Sequence, residues 1–396
     1  MFLPGMIDRD VEPRLKSLAR QFPAVVLTGP RQSGKSTVCQ KVFAHLPCAT
    51  LESPDVRAFA SEDPRGFLKQ FPKGAILDEI QNTPQLASYL QEAIDREPAP
   101  GRWILTGSHN LSLMQSTSQS LAGRAAVVHL LPLSRHEVIQ FSHHPKTLNE
   151  TLLTGGYPRI LDRGLRPSDW LSSYVATYLE RDVRSITKVG DLVPFQRFVQ
   201  LSAGRLAQLL NFSSLAADCG VSQPTARAWS SVLEAGFIAF RLPSYHGNIS
   251  KRLIKMPKLH FYDTGLACWL LGIREAAQLD VHPLRGAIFE CWVVSEIIKQ
   301  RFNRGEANGV FFFRDKAGLE SDALVQGRKS LILVEVKAGQ TISSDWAASS
   351  RKITELFAKT RQAVTSVVVY GGTDRQERNG VTYLPWHGIQ DYSWVE

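Results

Sequence analysis

Residues 29–36 read GPRQSGKS and follow directly on the apolar run Ala24-Val25-Val26-Leu27. That order predicts a buried strand, a glycine-rich loop and then a helix from Lys35 or nearby, with Val38, Val42, Phe43 and Leu46 on its inner face. Such a loop points backbone N–H groups, and the positive end of the helix dipole, at one place, which makes it an anion site. Gly29 and Gly34 permit a backbone approach that a Cβ would block. Lys35 is placed to reach β- and γ-phosphates, and Ser36 offers a hydroxyl to Mg²⁺. Gly29, Pro30, Arg31, Gln32, Ser33, Gly34, Lys35, Ser36 and Thr37 are the expected nucleotide-binding residues. A chance match on a surface turn would lack the flanking strand and helix.

A second apolar run, Gly74-Ala75-Ile76-Leu77, ends in Asp78-Glu79. A strand that delivers two adjacent carboxylates beside a phosphate loop can hold Mg²⁺ through Asp78 and polarise an attacking water through Glu79. ATP with Mg²⁺ is the expected cofactor pair, and hydrolysis the expected reaction. A third run, Trp103-Ile104-Leu105, leads into Thr106-Gly107-Ser108-His109-Asn110. Ser108 and Asn110 are both candidates for a polar residue that senses the γ-phosphate, and the sequence does not choose between them.

These motifs sit in longer blocks: FPAVVLTGPRQSGKST, SPDVRAFASEDPRGFL, GAILDEIQNTPQLASYLQ, GRWILTGSHNLSLMQSTSQSLAGRAAVVHLLPLSRHE and GGYPRI. Together they resemble the bacterial and archaeal AAA-type ATPases that carry a C-terminal DUF4143 domain, over nearly the whole chain. The resemblance implies an α/β fold: an AAA+-like P-loop parallel sheet, then further domains. One departure is Leu51-Glu52, where the family usually has Leu-Asp, so any role of that carboxylate near the nucleotide is in doubt. The resemblance also places Gly123-Arg124 in the ATPase module. Arg124 is then a candidate to touch the γ-phosphate, in cis or from a neighbouring subunit of a homo-oligomer. The alternative is a solvent-facing arginine at a strand start.

Residues 1–150 alternate short apolar strands with helical stretches, as a parallel ATPase sheet requires. Residues 151–203 read as a helical linker or lid, opened by the break Gly155-Gly156-Tyr157-Pro158 and continued by a packing face of Tyr174, Tyr178, Leu179 and Val183. Arg181 in that stretch could lie at a subunit seam. Residues 204–275 read as a winged helix-turn-helix. Asn211 or Ser213 caps the first helix, Gly220 makes the turn, Pro224 opens the second helix and Gly236 ends it. Two strand-like runs follow, Phe237 to Leu242 and Leu259 to Tyr262, with no acid between Arg241 and Lys258. Arg227, Lys251, Arg252, Lys255 and Lys258 are the expected DNA contacts. The alternative is a module that only packs between domains.

Residues 276–396 carry a second constellation. Asp322 lies on one expected strand, and Glu335-Val336-Lys337 ends the next. Residues two apart on a strand share a face, so Glu335 and Lys337 project together. An acid on one strand and E-x-K on its hairpin partner is the metal-binding core of PD-(D/E)xK nucleases. Asp322 and Glu335 would share Mg²⁺ or Mn²⁺, Lys337 would act as the catalytic lysine, and Glu296, or else Glu290, would complete the site from the helix that begins at Arg285. Ser321 stands where that motif has proline. A nuclease-like scaffold without activity is the competing reading.

The charge balance, 46 Lys and Arg against 37 Asp and Glu for a net +9, favours an anionic partner such as DNA. Five scattered cysteines and no long apolar run argue against disulfides, zinc and a membrane span, and for a cytoplasmic location. The expected function is an Mg²⁺-dependent ATPase acting on DNA in repair, recombination or defence, with a metal-dependent nuclease domain. The alternative is a nucleotide-switched regulator that recruits a partner through an inactive nuclease-like scaffold. A metabolic or signalling kinase is disfavoured because the chain continues into a winged helix instead of a lid with phosphate-reading arginines.

Overall fold

The computed structural model describes residues 6–108, 121–179, 192–246, 255–306, 309–328, 330–358 and 363–395. The chain divides into two compact units, Met1–Pro132 with Ala235–Phe237 and Phe302–Gly305, and Leu133–Glu234 with Ile238–Arg301 and Glu306–Glu396.

The first unit is built on five parallel strands: β1 (Ala24–Thr28), β2 (Cys48–Thr50), β3 (Ala75–Asp78), β4 (Trp103–Gly107) and β5 (Ala125–His129). Their order across the sheet is β2-β3-β4-β1-β5. β1, β3 and β4 are buried throughout, which is why they read as unbroken apolar runs. Alternate residues feed two cores. Ala24, Val26, Leu77 and Leu105 pack with Leu86, Leu90 and Ile94 of the helix Leu86–Arg96. Val25, Leu27, Ile76 and Ile104 pack with Val38 and Cys39 of the helix Lys35–Val42 and Leu15 of the helix Glu12–Ala19. The strand order matters for chemistry, because β4 lies between the strand that leads into the phosphate loop and the strand that ends in Asp78.

The second unit contains the helices Phe212–Cys219 and Gln223–Ala235, with Gly220 left-handed at the turn between them. Of the two expected caps, Asn211 is the one used: its side chain accepts from Ser213 and Ser214 N–H. Beyond the second helix the left-handed residue is Phe237 (φ 55°), one position after the glycine expected to end it. Antiparallel β6 (Ala239–Leu242) and β7 (Lys258–Phe261) follow. A six-stranded mixed sheet completes the unit: β8 (Val310–Arg314), β9 (Glu320–Gln326), β10 (Ser330–Lys337), β11 (Ala363–Tyr370), β12 (Gln376–Arg378) and β13 (Val381–Pro385), in the order β12-β13-β11-β10-β9-β8. β9 and β10 form an antiparallel hairpin whose register pairs Val334 with Ala323, and so carries Glu335 to the level of Asp322.

The Gly155-Gly156-Tyr157-Pro158 break serves packing within this unit. Tyr157 sits 4.8 Å from both Trp170 and Tyr174, ring centre to ring centre. The buried Asp263 carboxylate accepts from Gly156 N–H (2.6 Å) and Leu266 N–H (2.8 Å). Among the described residues no helix is long and apolar enough to cross a membrane.

Candidate functional site

The loop between β1 and the helix Lys35–Val42 is shaped by two glycines with different duties. A Cβ on Gly29 would lie 2.0 Å from the Leu130 carbonyl oxygen, so only glycine fits against the chain leaving β5. Gly34 holds φ 91° at the helix entry, a left-handed conformation that side chains resist. Lys35 is almost fully buried and donates to the Gly29 (3.1 Å) and Pro30 (2.8 Å) carbonyls. Burial pushes its pKa down, against the opposing pull of Glu79 and Asp78. A buried cation on weak neutral acceptors is arranged to gain from a polyanion entering the loop. Ser33 is buried and donates to the Pro30 carbonyl; Arg31 and Gln32 are half-buried and Thr37 is exposed.

Sequence reasoning missed one support of this loop. The Arg9 guanidinium donates to Ser33 O (2.8 Å) and to Leu131 O (3.0 Å), and the Arg9 N–H donates to Glu12. A buried arginine thus ties the segment before the first helix to the phosphate loop and to the exit of β5. The signal available was a lone arginine far from any motif.

β3 and β4 bring the acids into place. Ser36 Oγ donates to Asp78 Oδ1 at 2.6 Å, and the Thr106 hydroxyl donates to the same oxygen. Thr106 Oγ1 also accepts the Glu79 N–H at 3.1 Å. Glu79 is held left-handed (φ 57°), a strained setting for a non-glycine residue. Its Oε2 accepts from Ser108 Oγ (3.0 Å) and from Gln81 Nε2. Of the two sensor candidates, Ser108 contacts the Glu79 carboxylate, and Asn110 lies outside the described residues. Gln81 was not singled out in the sequence. Glu52 is exposed, with its N–H on Thr50 Oγ1. A Ser hydroxyl and an Asp carboxylate oxygen 2.6 Å apart are the oxygen pair that a Mg²⁺ ion takes directly and through water, so these residues fit the ion that the loop implies.

Arg124 is placed elsewhere. Its Nη2 donates to Asp95 Oδ2 (2.9 Å), and its Nε to the other oxygen of the same carboxylate. In the parallel register Ala125 lies beside Ala24, so Arg124 stands at the N-terminal edge of the sheet. The phosphate loop leaves the opposite edge, about 16 Å away along five strand residues. Ion-paired with Asp95 at that edge, Arg124 does not reach its own phosphate loop in this structure.

In the second unit Lys258 was expected to be an exposed DNA contact, and it is instead buried. Its Nζ lies 2.7 Å from Glu320, 2.9 Å from Glu290 and 3.9 Å from Asp322. Arg227 and Lys255 are exposed, and Arg227 lies over the Phe212 ring. Lys251, Arg252 and Arg181 fall outside the described residues. Asp322 Oδ2 accepts Val336 N–H (2.8 Å), and Lys337 Nζ lies 3.4 Å from Glu335 Oε2. Ser321 is buried and donates to Val334 O, bracing the hairpin. Glu296 does not join this group. It accepts from Arg135 N–H (2.7 Å) and from Lys299 (2.8 Å), because six residues from Glu290 on one helix is a turn of about 120° to another face. Glu290 is the helix acid that faces the cluster. Glu320, two residues from Asp322 and so on the same strand face, is a member that sequence reasoning missed.

Burial, then Asp322, pushes Glu290 and Glu335 up to about 8, against Lys258 and Lys337 respectively. Burial works against the Lys258 charge, and Glu290, Asp322 and Glu320 more than restore it, so its pKa is raised. Among the described residues no three acid, His or Cys side chains converge as a metal-ligand group, and the cation that Glu290, Glu320 and Asp322 share is Lys258.

An AAA domain family matches residues 21–139, a domain of unknown function (DUF8612) matches 145–277, and a domain of unknown function (DUF4143) matches 285–389. Uncharacterized proteins of Mycobacterium bovis and Mycobacterium tuberculosis are each 30% identical over 321 residues, spanning 80% of this chain and 71% of theirs. A Walker-type ATPase of Pyrococcus abyssi is a structural neighbour at 16% identity and a TM-score of 0.47, covering 67% of this chain and 96% of its own.

If the Thr106 hydroxyl orients both acids, Thr106→Val should lower ATP turnover about 10- to 100-fold while the protein stays folded, measured by phosphate release and circular dichroism. Unchanged turnover would detach β4 from the site.

Proposed function

Because the chain belongs to the AAA-type P-loop ATPases with a C-terminal DUF4143 domain, we propose that it hydrolyses ATP with Mg²⁺ and couples that hydrolysis to DNA. The observation that carries the reading is the pairing of Ser36 with Asp78, bridged to Glu79 by the Thr106 hydroxyl. When bound, Mg²⁺ neutralises charge on the transferring phosphoryl oxygens. The loop N–H groups and Lys35 cradle the phosphates, Ser36 and Asp78 hold the ion, and Glu79 orients the attacking water, with Ser108 fixing its carboxylate.

Arg124 fits a subunit-bridging role, since its edge of the sheet is remote from its own loop. A homo-oligomer would present it to a neighbour's γ-phosphate after release from Asp95. Mixing Lys35→Ala with Arg124→Ala subunits should then restore part of the lost activity, because some sites in the mixture have both residues. Absence of rescue would remove Arg124 from the reaction.

For DNA, support comes from the net charge of +9 and from exposed Arg227 on the helix Gln223–Ala235, with exposed Lys255 before β7. The winged-helix reading makes that helix the recognition helix and β6–β7 the root of the wing. Replacing Arg227 and Lys255 by alanine should weaken DNA binding and lower the salt slope by about one unit per lost phosphate contact, in a fluorescence anisotropy titration. If affinity and slope are unchanged, the positive charge serves another partner. A second reading, a nucleotide-switched ATPase with a nuclease-like scaffold that does not cut, is favoured by one observation: Lys258 fills the acidic cluster of the second unit.

A further inference from the structure

Resting on the reading of Asp322, Glu335 and Lys337 as a nuclease-like core, we propose that the Lys258 ammonium is a resident cation. It takes the place of a divalent ion and keeps the carboxylate cluster metal-free.

The geometry carries this. Lys258 enters from β7, Glu290 from the helix Arg285–Arg304, and Glu320 and Asp322 from one face of β9. Two elements distant in sequence thus deliver oxygens to an ammonium carried by a third, at 2.7 and 2.9 Å with another at 3.9 Å. The same ammonium lies 5.6 Å from the centre of the Phe312 ring, which adds a cation-accepting face. An ordinary buried pair in this unit looks different. Glu296 uses both oxygens, one on Lys299 and one on Arg135 N–H, and nothing is left over.

The Lys258 cluster is not closed in that way. Glu335 is only 5% exposed, yet its Oε1 has no hydrogen-bond partner among the described residues. His260, two residues from Lys258, is fully buried with both ring nitrogens unpartnered, its Nε2 4.0 Å from Glu290. Arg314 serves the other Glu320 oxygen (3.3 Å) and Lys337 the other Glu335 oxygen (3.4 Å), so the Lys258 ammonium with its three N–H groups is what Glu290, Glu320 and Asp322 share. A divalent ion brings two charges and accepts six or more oxygens. Removing the ammonium while keeping its stem should therefore convert the cluster from a salt bridge into a metal site.

Nucleotide-free, EDTA-washed full-length protein is titrated with Mn²⁺ by calorimetry, as wild type, Lys258→Met, Lys258→Arg and Lys258→Met with Asp322→Asn. The expected result is uptake of about one ion per chain by Lys258→Met alone. Any ion held by Ser36 and Asp78 is common to all four proteins and cancels. Should Lys258→Met not fold, Lys258→Gln makes the same comparison, and folding restored by Mn²⁺ counts as uptake. Mn²⁺ bound by wild type beyond what the Lys258→Met, Asp322→Asn protein takes up would overturn the proposal but leave the nuclease-like core standing. A folded Lys258→Met protein that takes up no Mn²⁺ would overturn both.

Discussion

The hydrogen bonds of Thr106 hold the nucleotide site of the first unit together. One hydroxyl donates to Asp78 and accepts the N–H of Glu79, while Ser36 reaches the same Asp78 oxygen from the phosphate loop. This is available only because β4 lies between β1 and β3. Neighbouring strands are about 4.8 Å apart, so inserting β4 moves the acids roughly 10 Å from the strand that feeds the loop. That spacing leaves room for a phosphate and an ion, and it gives β4 the end from which Thr106 and Ser108 reach both carboxylates. The Cβ-free approach of Gly29 to Leu130 and the anchoring of Ser33 by Arg9 keep the other wall fixed.

What was legible in the sequence was local. The phosphate loop, the Asp-Glu pair and the polar exit of β4 each occupy a few consecutive residues, and their chemistry depends on spacing along the chain. The parallel α/β sheet was legible for the same reason, from apolar runs that alternate with helical patterns. The distant pairings were not. Arg9 acts through carbonyls 24 and 122 residues away, and backbone acceptors leave no trace in side-chain identity. Arg124 could not be assigned to an edge of the sheet until the β1–β5 register was known.

Lys258 illustrates the same limit most clearly. It ends a run without acids, which reads as an exposed basic face, and its partners Glu290 and Glu320 lie 32 and 62 residues further on. Burying such a group costs desolvation of every charge involved, offset only by close, multiple contacts. The choice between Glu290 and Glu296 follows from helix geometry once the inward face of the helix is known, but the sequence offered acids on both faces.

The central claim is that the constellation around Asp78 and Glu79 hydrolyses ATP and does not merely hold it. Steady-state phosphate release by Glu79→Gln, alongside ATP affinity measured on the same protein, tests it most directly. The account predicts unchanged binding with turnover lowered at least about a hundredfold, since the attacking water loses its orienting carboxylate. Turnover equal to that of the unaltered protein, with binding intact, would contradict it.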